Sequence, residues 1–304
     1  MNKSIIKVGK ATLVLSVTLI ISCQSNEVAN DPVVSEIEQV EVEQEMIDDV
    51  DLSVTYQVPT PNELFTLFNQ VDVNFDATLL NPTSNADKYS ANKNKSLAFG
   101  VYSADLAFAA NFGEATESLS YFSAIKNIGD ELNVNNAFDQ LVFDRIEQNI
   151  QENNSDSLFN LSNETYYNAY SYLKDNDRGA TLSLIVVGGW VESLYILTHL
   201  LDPNDGSELL SRIADQRLTL ENLYGFMAEF QSDSDVAEVI EALEPVDQIL
   251  MSLEPQESAV TTEVSDDGTY SLGGGADYVL SQEEFSSLKE AVGTLRNAII
   301  ESEI

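Results

Sequence analysis

The chain has 304 residues, 43% of them hydrophobic, with 14 Lys and Arg against 51 Asp and Glu and a formal net charge of −37. That much apolar sequence can bury a sizeable core, so the chain as a whole is not a disordered one. A surface this acidic repels phosphate backbones and anionic headgroups, which argues against nucleic acid as a partner. The charge is consistent with plain solubility and, alternatively, with capture of a divalent cation such as calcium.

At the N-terminus, "MNKSIIKVGK" carries Lys3, Lys7 and Lys10 and is followed by the apolar run "ATLVLSVTLIIS". This is the pattern of a secretory signal, too short and wrongly flanked to be kept as a membrane span. It closes on Ile20, Ile21, Ser22 and Cys23. That ending resembles a bacterial lipobox, which implies cleavage before Cys23 and a lipid thioether on its sulfur. The alternative is ordinary cleavage and a free thiol. Cys23 is the one cysteine, so no internal disulfide can form. Several acyl chains on it would hold the protein firmly on a membrane. Losing the three signal lysines takes the net charge from −37 to −40. The expected organisation is a signal over 1–22, an acidic tether over 23–56 and a helical domain over 57–304. The stretch 24–54 holds ten acids and no base, a composition that keeps a chain extended.

The domain opens at "TPNELFTLF", where Thr60, Pro61 and Glu63 suit a capped helix start. A second helix is expected over 87–112, with Leu97, Val101, Ala104 and Phe108 on one face. Gly113 ends it. A third is expected over 114–132 and a fourth over 136–152, through Phe138, Leu141, Val142 and Ile146. A fifth follows over 157–174 and a sixth over 181–201. The segment "DPNDG" turns the chain. A seventh helix is expected over 207–230 and an eighth over 235–253, kinked or restarted at Pro245. The segment 258–280 reads as a hairpin or a long mobile loop, and Gly273, Gly274 and Gly275 favour the loop. Ser281 and Glu284 form a capping box for a last helix over 282–301, with Phe285, Leu288, Val292, Leu295 and Ile299 inward. The fold class is therefore all-α, an irregular bundle of about nine helices. Residues 100–125 look like one tetratricopeptide-type hairpin, but no fixed period recurs.

The sixth helix contains "LIVVGGWVESLYILTHLL", about 27 Å long at a rise of ~1.5 Å per residue. That is just enough to span a bilayer. Glu192 near its middle, the paired Gly188 and Gly189, and flanks without basic residues argue instead for a central helix buried by its neighbours. Each glycine costs about 1 kcal/mol against alanine, so close approach of another helix is the expected reason for the pair.

Gly188, Glu192, Tyr195 and His199 lie on one stripe. Glu192 and His199 are ~10.5 Å apart along the axis, too far for a dyad or a shared metal ion. His199 is the single histidine, which removes multi-histidine metal sites and weakens any Ser-His or Cys-His hydrolase reading. No cofactor is expected: "LGGGADY" lacks the lysine of a phosphate loop. "DPNDGSE" starts like a calcium loop but has Ile213 where the twelfth position needs Glu. Arg145, Arg212 and Arg217 lie on otherwise apolar helix faces, and Asp105 is similarly placed. The expectation is a polar core cluster in which Asp105 or Glu192 pairs with one of those arginines. Tyr166, Tyr167, Tyr170 and Tyr172, with Trp190, form an aromatic group that is either core and rim or a surface for stacking a sugar or a cation.

"LAFGVYSADLAFA" (97–109), "IGDELNV" (128–134) and "GGWVESLY" (188–195) resemble an uncharacterised family of all-helical lipoproteins from Bacteroidota, over about 61–253. The resemblance implies the helical fold and the lipid anchor, and it carries no activity and no functional residues. The expected protein is an envelope lipoprotein, placed at the outer membrane with its face left open, that binds a glycan or an envelope protein. The alternatives are an enzyme using carboxylates on glycans and a structural subunit of an envelope assembly.

Overall fold

Among the described residues, two helices are apolar nearly all round, and amphipathic helices pack around them. The computed structural model describes residues 64–65, 73–134, 144–145, 148–149, 152, 154–204, 207–264 and 270–304. The chain divides into two units, Met1–Leu52 and Ser53–Ile304, and every described residue belongs to the second. The signal, Cys23, the tether and most of the first and fourth expected helices lie outside the described residues. Leu64 and Phe65 of the first are helical and buried.

The fold is all-α, with eight α-helices among the described residues. They are α1 (Asn92–Asn111), α2 (Ala115–Glu131), α3 (Ser155–Asp175), α4 (Gly179–Leu200), α5 (Ser207–Ala214), α6 (Gln216–Ala228), α7 (Ser234–Met251) and α8 (Gln282–Ile300). From Ser96 to Ala110, α1 carries one charge, Asp105, and it is buried on all sides rather than on the single face that the spacing suggested. Its expected first turn belongs to a separate 3-10 turn, Thr83–Lys88. Gly113 at φ 72° ends the α1 segment, a conformation that favours glycine, and α2 turns back from there.

Helix α4 is the expected central helix. It is long and apolar enough to cross a membrane, yet 83% of its most apolar window is buried inside the fold. Its most extensive partner is α1, and α3, α6, α7 and α8 also touch it. The glycines explain how close α1 comes. A Cβ on Gly188 would collide with the Leu97 carbonyl, and one on Gly100 with the Ile185 carbonyl. Only glycine at both positions lets the two backbones meet.

Three elements sharpen or correct the expectation. The seventh helix is two, α5 and α6, interrupted at Asp215, and the second begins at Gln216, whose side chain faces Trp190. Helix α7 runs through Pro245 without restarting; the proline is exposed, so its missing N–H faces away from the core. The segment read as a hairpin or a mobile loop contains an antiparallel ribbon, β1 (Gln256–Val264) and β2 (Tyr270–Asp277), which is the first of those two readings rather than the favoured second. Its register runs from Gln256 opposite Asp277 to Val264 opposite Tyr270, with an irregularity between Ser258 and Thr261. Glycines can hold a strand because the ladder bonds are made by backbone groups. Helix α8 starts with the expected capping box of Ser281 and Glu284, and Phe285, Leu288, Val292, Leu295 and Ile299 are all buried.

Candidate functional site

The buried charges converge where α1, α4 and α8 meet. Asp105 and Glu192 are 0% exposed, and Arg296 of α8 is buried with them. Arg296 binds Glu192 as a fork: Nε donates to Oε2 and Nη2 to Oε1, each at 2.9 Å. Nη2 also donates to the Leu79 carbonyl at 2.9 Å. The guanidinium lies over the Tyr195 ring at 4.5 Å, and that ring stacks on His199 at 4.0 Å between centroids. His199 Nδ1 meets the Tyr195 carbonyl oxygen at 2.8 Å. Burial holds the His199 imidazole below its usual range. The stripe expected on α4 is thus a single ladder, running from the sealed Glu192 to the half-buried His199, with Arg296 as its rung.

Asp105 completes the cluster. Its Oδ2 accepts the Asn81 backbone N–H at 3.2 Å, while Oδ1 is buried and receives no donor. Burial raises its pKa well above the carboxylate range, the neighbouring Glu192 charge raises it further, and Arg296 only partly opposes them. The orphaned Oδ1 and the raised pKa both favour a proton on Asp105. A protonated Oδ1 is a donor rather than an orphaned acceptor, and burial beside the Glu192 carboxylate favours that form. With that proton in place Glu192 and Arg296 cancel, and the buried cluster holds no net charge.

Polar groups around this centre are tied to it. Asn81 Nδ2 donates to the Tyr89 hydroxyl at 2.9 Å, and that hydroxyl donates to the Ile300 carbonyl at 3.3 Å. The Tyr102 hydroxyl donates to the Pro82 carbonyl at 3.0 Å. Burial pushes the Tyr102 and Tyr121 hydroxyls far above the ordinary phenol range, with Asp105 among the further causes. The network therefore fastens residues 79–82 and the end of α8 to the central helices.

The expected acid–arginine pair exists, but with a different arginine. Arg145 is exposed and meets Glu164 at 3.3 Å. Arg212 is exposed, 4.0 Å from Asp215. Arg217 meets Glu221 at 3.1 Å and lies over the Tyr278 ring at 4.7 Å. None of the three reaches Asp105 or Glu192. Arg296 was legible: it stands four residues after Val292 and three before Ile299, inside the buried stripe of α8. A charge in such a stripe needs an opposite charge within the core.

The aromatic platform is not assembled. Trp190 is 2% exposed, with its indole N–H donating to Gln216 Oε1 at 3.1 Å. Tyr166 is also buried, and Tyr170 and Tyr172 are partly buried against the core. Tyr167 alone of the group is well exposed. In the calcium-like segment, Asp202 Oδ1 accepts the Asn204 N–H at 2.8 Å in a tight turn, and Ile213 is a core residue. Among the described residues, no group of three or more His, Cys, Asp or Glu side chains is placed to hold a metal ion.

Among the described residues, two open clefts lie elsewhere, between α7 and α8. A cleft of about 490 Å³ is lined by Ala242, Pro245, Ala291, Thr294 and Ala298, among others. A second, of about 610 Å³, shares Pro245, Ser287 and Ala291 with it and extends toward Ser252 and Ser281. Neither is lined by a residue of the buried cluster. The chain matches no protein-family model, no curated protein and no solved structure.

Proposed function

We propose that this chain is a lipid-anchored protein of the bacterial envelope that works by binding a partner through the surface of its helical body. The observation that carries the binding reading is the separation of the two regions just described. The Asp105, Glu192 and Arg296 cluster is sealed in the core, and the clefts between α7 and α8 are lined by small side chains and glutamates. A glycosidase needs two facing acids about 5 to 9.5 Å apart in a cleft that admits sugar, whereas Asp105 and Glu192 are closed to solvent. An assembly subunit calls for a contiguous apolar patch. Among the described residues, the exposed large hydrophobics, Leu119, Tyr167 and Leu218, stand on three different helices. The anchor, the outer-membrane location and membership of the helical lipoprotein family rest on the N-terminal signal, on Cys23 and on the three motifs quoted above.

Two measurements test this reading. In a bacterial host fed labelled palmitate, the full chain takes up label and Cys23→Ala does not; an unlabelled parent chain refutes the anchor. Photo-crosslinking residues placed one at a time at Ser287, Tyr167 and Leu218 probe three faces in the intact envelope. A discrete adduct from any of them supports binding, and the absence of adducts from all three overturns it.

A further inference from the structure

The two clefts between α7 and α8 are continuous, since Pro245, Ser287 and Ala291 line both. From Glu284 to Ala298 the groove follows about 21 Å of α8, at ~1.5 Å per residue, or close to four helical turns. Its floor on α8 is Ser287, Ala291, Thr294 and Ala298, at spacings of four, three and four. Side chains this small let another backbone lie close, in the way one helix's ridge fills another's groove. Opposite them, Pro245 has no N–H to give to the Glu241 carbonyl, which leaves an acceptor on α7 without its helical donor.

The charge around the groove has one sign. Its charged side chains are Glu283, Glu284 and Glu290, with no Lys or Arg among its lining. Glu283 and Glu290 are exposed and make no ion pair among the described residues. On the neighbouring stretch of α7, burial raises the Asp247 carboxyl from its ordinary value, and Glu244 and Glu221 raise it further. Local negative potential therefore goes uncompensated. A second copy of this chain would bring more carboxylates, and an anionic membrane surface would be repelled.

We infer that the α7–α8 groove is a docking site for a cationic amphipathic helix of a partner protein, about four turns long. Its apolar ridge would lie on Ala291 and Ala298, and its lysines or arginines would face Glu283 and Glu290. This deepens the binding reading above and rests on it.

The test uses the purified full chain and two labelled 18-residue helical peptides. Both carry the same Leu/Ala face; one has lysines on its polar face and the other has glutamates. Fluorescence anisotropy is read at physiological salt. The expected result is saturable one-to-one binding of the lysine peptide, none of the glutamate peptide, and at least tenfold weaker binding to Ser287→Trp. Ser287 is exposed and lines both clefts, so tryptophan there fills the groove without changing the charge. Ala291→Trp provides a second block, with circular dichroism confirming that each variant folds. Equal affinity for parent and both folded variants would mean diffuse attraction to an acidic surface and would overturn the inference. Absence of binding to the parent would overturn it too. Either failure leaves crosslinking from Tyr167 or Leu218 to decide the broader binding reading separately.

Discussion

The two faces of α8 treat charge in opposite ways. Inward, Arg296 is held by a fork from Glu192, a backbone carbonyl and an aromatic ring, and solvent is excluded. Outward, Glu283 and Glu290 stand beside small side chains and make no ion pair among the described residues. A buried charge must find its partner within the chain, because water cannot reach it. An exposed charge can stay unmatched at little cost and be available to another molecule. The inner cluster is therefore the place to look for stability, and the outer groove for recognition.

The largest expected effect tests the inner face. Arg296→Met leaves the Glu192 carboxylate buried and unpaired, and should cost about 3–5 kcal/mol in urea unfolding. Adding Glu192→Leu should recover most of that, because it removes the stranded charge. If Arg296→Met costs less than about 1 kcal/mol, below the range for a broken buried pair, the cluster does not hold the fold together. The helix crossing comes next. Gly188→Ala forces a Cβ into a backbone carbonyl, so α1 and α4 must move apart, and a loss of about 3 kcal/mol is expected. At Gly293 the same methyl meets only ordinary contacts, His199 Cε1 at 3.9 Å and Tyr195 Cε2 at 4.0 Å. Gly293→Ala should gain up to about 1 kcal/mol of helix propensity. Equal losses at the two sites would break the distinction.

The smallest effect per step is the most diagnostic of Asp105. Because burial and Glu192 raise its folded pKa, the folded chain keeps a proton that the unfolded chain releases above about pH 4. The stability tied to that proton is fully present below pH ~4 and is lost as pH rises toward the folded value, at about 1.4 kcal/mol per unit. Asp105→Asn keeps a neutral side chain that can still donate toward Glu192. It should be more stable than the parent at neutral and alkaline pH, and the gap should narrow as the pH falls toward 4. Unfolding curves at several pH values read this directly. Parallel profiles for parent and variant would show that Asp105 does not carry the proton.

Much of the fold was legible because helices declare themselves locally. The apolar spacing in 282–301, the Ser281–Glu284 box and the unbroken apolar run of α4 each concern residues within a few turns of one another. The glycine pair also announced a close crossing, since nothing local rewards glycine in mid-helix. Misses arose where a distant contact decided. The interruption at Asp215 divides α5 from α6 where Gln216 meets the Trp190 indole, and Trp190 is 26 residues away in sequence.

The site divides along the same line. Composition and spacing alone determined that the chain is all-α, strongly acidic, and built around a central helix carrying Glu192, Tyr195 and His199 on one stripe. They also pointed to a buried acid in need of an arginine. Only the tertiary structure decided which arginine, because Arg296 and Glu192 are 104 residues apart and several helix faces offered a cation. It decided, too, that Trp190 and Tyr166 belong to the core, and that the open groove lies between α7 and α8. Periodicity says which side of a helix is buried, and packing alone says what each side is buried against.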